Sequence, residues 1–218
     1  MLMTSVSPPL VFVHLGPSIP RYANASLSFA SRAHEGETVL LTNSERGVPV
    51  GRSFRTENIS EWYNPSKFEQ FRLATSLDAS FRSGFWMYVV ERFFVLRQYL
   101  DRIEGPALFH AELDVMVFDL RGVAEECNRH GSGVFAVMDD PSRALASTFY
   151  CNSEAVFDHF LDFVLSRPYM RNEMEVIGEY LQKFPAKGHA LPSDRSFDKR
   201  AHPLSPSTLP EELGVFDG

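Results

Sequence analysis

Two carboxylates separated by one residue lie within an apolar stretch of the chain. In the run from Phe109 to Phe118 the odd positions are all apolar, and His110, Glu112 and Asp114 alternate with them. Because an extended chain has a period of two, both carboxylates would lie side by side on one face of a strand. Burying a lone carboxylate costs several kcal/mol, so the pair needs a cation, a helix terminus or a protein base. A hard divalent metal with oxygen ligands is the simplest such partner.

The same triplet has a plainer interpretation. Glu112 and Asp114 could end the strand, lie in solvent and cap the next helix, because ordinary strand ends carry acids. An acid-x-acid triplet is also a short and common pattern. The apolar residues on both sides favour a site, but the sequence leaves both interpretations open.

Arg92 is the second unusual charge. Tyr88 and Val89 precede it by one helical turn and Val95 and Leu96 follow it by one turn, so it lies on a largely apolar helix face. A guanidinium there pairs either with a core carboxylate or with a ligand phosphate. In the alternative interpretation its stem packs and its head reaches the surface.

The elements that would position these residues follow an α/β order. Leu10–Leu15 and Thr38–Thr42 are continuous apolar runs, typical of parallel strands covered on both faces, with a helix between them. After a long loop over 45–60, we expect a helix opened by a Ser66–Glu69 capping box and a second helix over about 85–103. A strand over 107–118, a helix near 121–128 and strands over 134–138 and near 145–150 follow. The last predicted elements are a helix capped by Asn152, a helix over 172–184 and an irregular segment beyond Pro185. The order predicts one mixed, mainly parallel sheet flanked by helices.

Composition excludes several classes of protein. The 218 residues include 19 Phe, and 21 Lys and Arg stand against 28 Asp and Glu, a net charge of -7. An acidic chain offers no broad basic face, so no nucleic acid partner is expected. Its two cysteines favour a reducing compartment. The longest apolar stretch, 84–90, is far short of the roughly 20 residues of a transmembrane helix, and no signal peptide precedes the domain, so we expect a cytoplasmic protein.

The order of these features resembles glycosyltransferases of the GT-A fold, which use nucleotide-sugar donors. The resemblance rests on His14-Leu15-Gly16 at a strand end, the helix segment 91–96, and the strand that carries the acid-x-acid (DxD-like) triplet. It covers about residues 10–184 in order of elements. It implies one GT-A-like (Rossmann-like) catalytic domain over residues 1–185, followed by an irregular, proline-rich segment over 186–218 that would begin a truncated acceptor region.

The resemblance also assigns roles around the donor diphosphate. Asp114 would ligate Mn²⁺ or Mg²⁺, and Glu112, in place of the usual aspartate, would contact ribose or the metal through water. Arg92 would lie near the diphosphate, where arginine and metal stabilise the charge that develops on the leaving phosphate. Glu173 is the candidate catalytic base of an inverting reaction. Its alternative role is to stabilise a helix N-terminus.

The nucleotide base and ribose would lie at the ends of the first two strands. By resemblance this implicates His14, Leu15, Gly16 and Asn43. Each has a structural alternative as a turn glycine, a strand-end polar group or a core histidine. Similar enzymes often have a third, late metal ligand, commonly histidine, and His189 and His202 are the only late histidines in this chain.

The function expected from the resemblance is metal-dependent sugar transfer from a nucleoside-diphosphate donor to a hydroxyl acceptor that the sequence does not identify. If acceptor recognition is incomplete, the chain should bind donor, hydrolyse it slowly and transfer poorly. One alternative is another metal-dependent nucleotidyl or phosphotransfer enzyme. Another is a non-catalytic nucleotide-sugar-binding or interaction module, with aromatic side chains as its contact surface.

Overall fold

The computed structural model describes residues 7–120 and 122–191, which form a single seven-stranded sheet. In chain order the strands are β1 Leu10–His14, β2 Thr38–Thr42, β3 Arg55–Asn58, β4 Leu108–Ala111, β5 Val134–Asp140, β6 Arg143–Cys151 and β7 Gly188–Leu191. Across the sheet the order is β3-β2-β1-β4-β6-β5-β7. β6 is antiparallel to both of its neighbours, and the other neighbouring pairs are parallel. The predicted mixed, mainly parallel α/β sheet is confirmed.

Helices cover both faces of the sheet. They are α1 Ala23–Ala33, α2 Ser66–Ala74, α3 Phe85–Leu100, α4 Val123–Arg129, α5 Glu154–Leu165 and α6 Glu173–Lys183, with short 3-10 turns at Ile59–Glu61 and Phe81–Ser83. One apolar core lies between the sheet and α2, α3, α5 and α6, and the other lies between the sheet and α1 and α4. Burial of aromatic side chains in the first core anchors α3, which carries Arg92. Of the helices that the structure describes, none is long and apolar enough to cross a membrane.

The strand expected to run to Phe118 ends much earlier. β4 stops at Ala111, opposite Phe12 of β1. The Glu112 N–H still donates to the Ser147 carbonyl at 3.0 Å, and the Val115 N–H then donates back to the Glu112 carbonyl at 3.0 Å, which closes a turn. The prediction was wrong because Leu113 and Val117, which follow β4, are buried at odd positions, as the period of two of a strand would place them, although the backbone has left the sheet. The acid triplet therefore lies in a turn at the strand's end.

Two segments expected to be irregular contain strands. β3 lies inside the predicted loop 45–60, and β7 lies beyond Pro185. Both are four-residue strands at the two edges of the sheet, where one side of the strand has no neighbour among the described residues. Short edge strands need no long apolar run, so sequence periodicity does not reveal them. The remainder of the tail, 192–218, lies outside the described residues.

Helix starts were predicted unevenly. The helix expected over 172–184 is α6, and the Asn172 side chain caps it by accepting from the Glu175 N–H at 3.0 Å. α5 is capped by Ser153, not by Asn152. The expected Ser66 capping box is also wrong, because the Ser66 hydroxyl donates to Asn64 Oδ1 at 2.6 Å. In the two wrong cases a nearby polar residue, Ser153 or Asn64, accepts the hydrogen bond, and sequence spacing alone does not choose between such neighbours.

Candidate functional site

The candidate site lies at the carboxyl edge of the parallel strands. β1 ends at His14 opposite Thr42 of β2, and β4 ends beside β1. The connections that leave these strand ends carry the predicted nucleotide residues and the acid triplet. Open α/β sheets bind their ligands at this edge. The fold therefore places both predicted groups on the ligand-binding side of the sheet.

A hydrogen-bonded turn at Gly16 joins the ends of β1 and β2. The Gly16 N–H donates to Asn43 Oδ1 at 2.9 Å, and the Ser44 hydroxyl donates to the Gly16 carbonyl. The His14 Nε2–H can donate to the Ser18 carbonyl at 3.0 Å, while Leu15 is buried. Burial lowers the pKa of His14, and the bond to Ser18 only partly opposes this. His14, Gly16 and Asn43 thus shape one turn through their hydrogen bonds. With its lowered pKa, the His14 side chain supplies no positive charge at neutral pH.

The Gly16→Ala variant should lose stability. Gly16 has φ +130°, a conformation that side-chain-bearing residues rarely adopt, and its added Cβ would lie 3.5 Å from the Tyr88 ring, an ordinary contact. Backbone strain of about 1–3 kcal/mol is the expected loss in the free energy of unfolding, measured with denaturant. Gly105→Ala is the control, because Gly105 has φ +97° and an added Cβ there would meet no atom of residues 7–120 and 122–191 within 4 Å. Only Gly16→Ala should also weaken nucleotide binding, and an unaltered affinity would remove Gly16 from the site.

The acid triplet presents its three side chains to different surroundings. Asp114 is exposed, Leu113 is buried, and the Glu112 side chain is 30% exposed. Burial raises the pKa of Tyr22, and the charges of Asp114 and Glu112 raise it further. Tyr22 precedes α1, so the two acids lie within electrostatic reach of the start of that helix. Asp114 is the carboxylate that a ligand can reach most readily.

Arg92 lies between two carboxylates beneath the triplet. Its guanidinium donates to Glu112 Oε1, and its second terminal nitrogen lies 3.4 Å from Glu173 Oε1. Arg92 is 4% exposed and Glu173 is 8% exposed. The structure thus places the two predicted site residues Arg92 and Glu173 together with Glu112 in one buried cluster, which we call the Arg92 cluster.

The two acids of the Arg92 cluster titrate in opposite directions. Burial tends to raise the pKa of Glu112, but the charge and hydrogen bond of Arg92 outweigh it, so the pKa is lowered. Burial raises the pKa of Glu173, and Arg92 only partly offsets this rise. Neighbouring His110 donates from Nδ1 to the Val11 carbonyl at 2.9 Å, and burial followed by the Arg92 charge lowers its pKa to about 3. His110 is therefore neutral, and Arg92 supplies the positive charge to this pair of acids.

The Glu173→Gln variant should change how stability depends on pH. A carboxyl whose pKa is raised in the folded state binds more protons there than in the unfolded chain. Its contribution to the free energy of unfolding therefore falls as pH rises from the ordinary glutamate value of about 4.3 through the raised folded value. Relative to Glu173→Gln, the parent should lose stability across this interval, as followed by urea unfolding between pH 4 and pH 8. A constant difference between the two proteins would contradict the raised pKa.

Two cavities meet at the acid triplet. One, of about 600 Å³, lies between the segment 112–120 and strands β5 and β6. The other, of about 620 Å³, lies against α1 and is lined by Tyr22, Phe29 and Arg32 among others. Asp114 and Met116 line both. Each cavity has the size of a small-molecule site, and we call them the β6-side cavity and the α1-side cavity.

The second wall of each cavity was not predicted from the sequence. Tyr22 just before α1 and Arg32 on α1 were not singled out, nor were Ser147 and Thr148 on β6. The position of Tyr22, an aromatic residue between the Gly16 turn and the predicted first helix, could have indicated that it lies at the site. No sequence signal marks the β6 residues, because only strand pairing brings them beside the triplet.

The residues at the triplet suit a metal that shares its ligands with a substrate. In the described part of the chain, no group of three or more His, Cys, Asp or Glu side chains could hold an ion. His189 stacks on Phe135 at 4.8 Å within the sheet, and His202 lies outside the described residues. Mg²⁺ is commonly held by one or two carboxylates and completed by substrate phosphates. Asp114, with Glu112 beside it, fits that mode rather than a cage made of protein ligands alone.

Comparisons with known proteins find similarity in structure and not in sequence. The sequence matches no protein-family model and no curated protein. The crystal structure of mouse xyloside xylosyltransferase 1, in its apo form, is similar with a TM-score of 0.56 and 12% identity over 84% of each chain. The apo structure of the WbbM bifunctional glycosyltransferase has a TM-score of 0.51 and 11% identity, over 88% of this chain and 40% of that one. The chain therefore has the GT-A fold of glycosyltransferases.

Proposed function

We propose that the chain transfers a sugar from a nucleoside-diphosphate donor to an acceptor hydroxyl, with Mn²⁺ or Mg²⁺ on the diphosphate. The observation that carries the proposal is the position of Asp114. Its exposed carboxylate lies at the carboxyl edge of a GT-A sheet and lines two cavities of ligand size. A transferase that joins two substrates needs two adjoining sites with its charged group between them.

The donor belongs on the α1 side of Asp114. The first turn of α1, residues 23–26, contains no acidic side chain, and a helix N-terminus attracts phosphate through its N–H groups and dipole. Arg32 adds a positive charge to the same cavity. The Gly16 turn, with His14, Leu15 and Asn43, adjoins this region and would receive the base and ribose. The nucleotide therefore extends from the ends of β1 and β2 toward Asp114.

Asp114 would hold the metal, and Glu112 would support it from the Arg92 cluster. When bound, the metal stabilises the negative charge that develops on the leaving phosphate. Because Arg92 holds Glu112 in its ionised form, the turn keeps a second negative charge beside Asp114. Arg92 is thus a positioning residue, which acts on the site through Glu112.

Glu173 has a different place in the proposal. A raised pKa suits a general base, but Glu173 is buried, pairs with Arg92 and is not among the described residues that line the two cavities. We assign it to holding Arg92 in place. Its predicted role as the catalytic base stays a prediction, and a loss of turnover in Glu173→Gln with unchanged donor affinity would support it.

The test is a panel of nucleotide sugars incubated with the chain and Mn²⁺. Release of nucleoside diphosphate from at least one donor is expected, and chelation of the metal with EDTA should stop it. Release of pyrophosphate instead would indicate a nucleotidyltransferase. If no donor in the panel releases its nucleotide above the buffer control, the proposed activity is wrong.

A further inference from the structure

We infer that the β6-side cavity is the acceptor subsite, and that its acceptor is an uncharged molecule with an apolar group next to the reacting hydroxyl. This inference rests on the proposed function and adds a substrate class to it. The cavity opens beside Asp114, which also lines the α1-side cavity assigned to the donor. A molecule in the β6-side cavity would therefore place a hydroxyl beside the donor diphosphate.

The walls of the β6-side cavity are mainly apolar. Val115, Val117 and Leu120 come from the segment after the triplet, and Val137 and Leu145 come from β5 and β6. Leu145 is only half-buried, so part of its side chain remains available for contact. Val115 is also only partly buried, and the exposed parts of these two side chains gain free energy when a ligand removes them from water. A cavity of about 600 Å³ is large enough for a short alkyl chain or an aromatic ring attached to a sugar.

The two cavities differ in whether a positive side chain is available to the donor's diphosphate. Glu112 and Asp114 lie in the wall of the β6-side cavity, and its described lining residues include no lysine or arginine. An anion would meet like charge here, whereas the α1-side cavity contains Arg32. An anionic ligand therefore suits the α1-side cavity, and an uncharged ligand suits the β6-side cavity.

Polar groups at one end of the β6-side cavity complete the chemistry of an amphipathic ligand. Ser147 and Thr148 line its β6 wall, close to the Glu112 backbone that bonds to Ser147. Their hydroxyl groups can donate to or accept from sugar hydroxyls. The arrangement places a polar end near the triplet and an apolar body along Val137 and Leu145. An alkyl or aryl glycoside has this distribution of polarity.

The test measures binding of alkyl glucosides without donor or metal. Calorimetric titration with ethyl, butyl, hexyl and octyl β-glucosides, each below its micelle concentration, should show affinity rising about fourfold per buried methylene. Leu145→Trp fills the cavity and should abolish the dependence on chain length. Leu145→Gln keeps the size, removes apolar wall and should reduce the gain per methylene. Leu73→Trp is the control, since Leu73 is 82% exposed on α2 and outside the cavity.

The outcomes separate this inference from the proposed function. Affinity that does not change with chain length, or a dependence that survives unchanged in folded Leu145→Trp and Leu145→Gln, would overturn the acceptor assignment. Thermal unfolding of each variant verifies that it is folded. Because no donor is present, the assignment can fail while nucleotide release from a donor succeeds. If both succeed, octyl glucoside should also accelerate nucleotide release more than glucose does.

Discussion

Replacing Asp114 by asparagine should lower the affinity for a nucleoside diphosphate in the presence of Mn²⁺ by at least about 100-fold. Loss of even an outer-shell partner commonly costs 10–100-fold in metal affinity, and Asp114 is proposed as a direct ligand. The side chain is exposed, so the substitution removes no buried contact and thermal stability should change little. Calorimetric titration of parent and variant with the same nucleotide measures the effect.

The control for Asp114→Asn is Glu104→Gln. Glu104 is also exposed and also loses one negative charge, but it precedes β4 at the opposite edge of the sheet. It should leave Mn²⁺-dependent affinity unchanged. Equal affinity of the parent and Asp114→Asn would remove Asp114 from the site, and equal losses in both variants would indicate a general charge effect.

The Arg92→Met variant should lose about 3–5 kcal/mol of the free energy of unfolding at neutral pH. Removing one partner of a buried ion pair leaves the other charge uncompensated, and here it leaves two carboxylates, Glu112 and Glu173. Arg171→Met is the control, because Arg171 is exposed close to the start of α6. Urea unfolding at neutral pH compares the three proteins. A loss no greater than that of the control would contradict the buried cluster.

Two further measurements identify the cause of the Arg92→Met effect. Adding Glu173→Gln should recover part of the lost stability, since it removes one of the unpaired charges. The affinities of Arg92→Met for a nucleoside diphosphate and for the bare nucleoside show whether Arg92 also contacts the phosphate, which the sequence left open. If Arg92 acts only through Glu112, the ratio of these two affinities changes less in Arg92→Met than in Asp114→Asn. A larger change in this ratio for folded Arg92→Met would favour direct contact.

The central part of the fold could be predicted from the sequence, and its edges could not. β1 and β2 are short, continuous apolar runs of the kind that buried parallel strands have, so the sequence indicates them clearly. The apolar residues of α3 indicate a buried helix in the same way. The edge strands β3 and β7 are four residues long, and pairing with neighbours specifies them more than composition does. Local pattern therefore succeeds where burial dictates composition, and fails where tertiary pairing decides the structure.

The candidate site divides in the same way. The acid triplet and Arg92 were identified as unusual because each places charge among apolar residues. Their connection was not predicted, since Arg92 reaches an acid 20 residues away and another 81 residues away. The sequence left open whether Arg92 meets a carboxylate or a phosphate, and the structure places it on two carboxylates. A contact between distant elements leaves no spacing that a single sequence can reveal.

The most direct test of the account is calorimetric titration of the parent chain with a panel of nucleoside diphosphates, first with Mn²⁺ and then with EDTA. We expect that at least one diphosphate binds with Mn²⁺, that EDTA removes most of this affinity, and that the corresponding nucleoside binds weakly under both conditions. Failure of the whole panel to bind, or binding that is equally tight without the metal, would contradict the assignment of this edge of the sheet to a nucleotide-sugar donor.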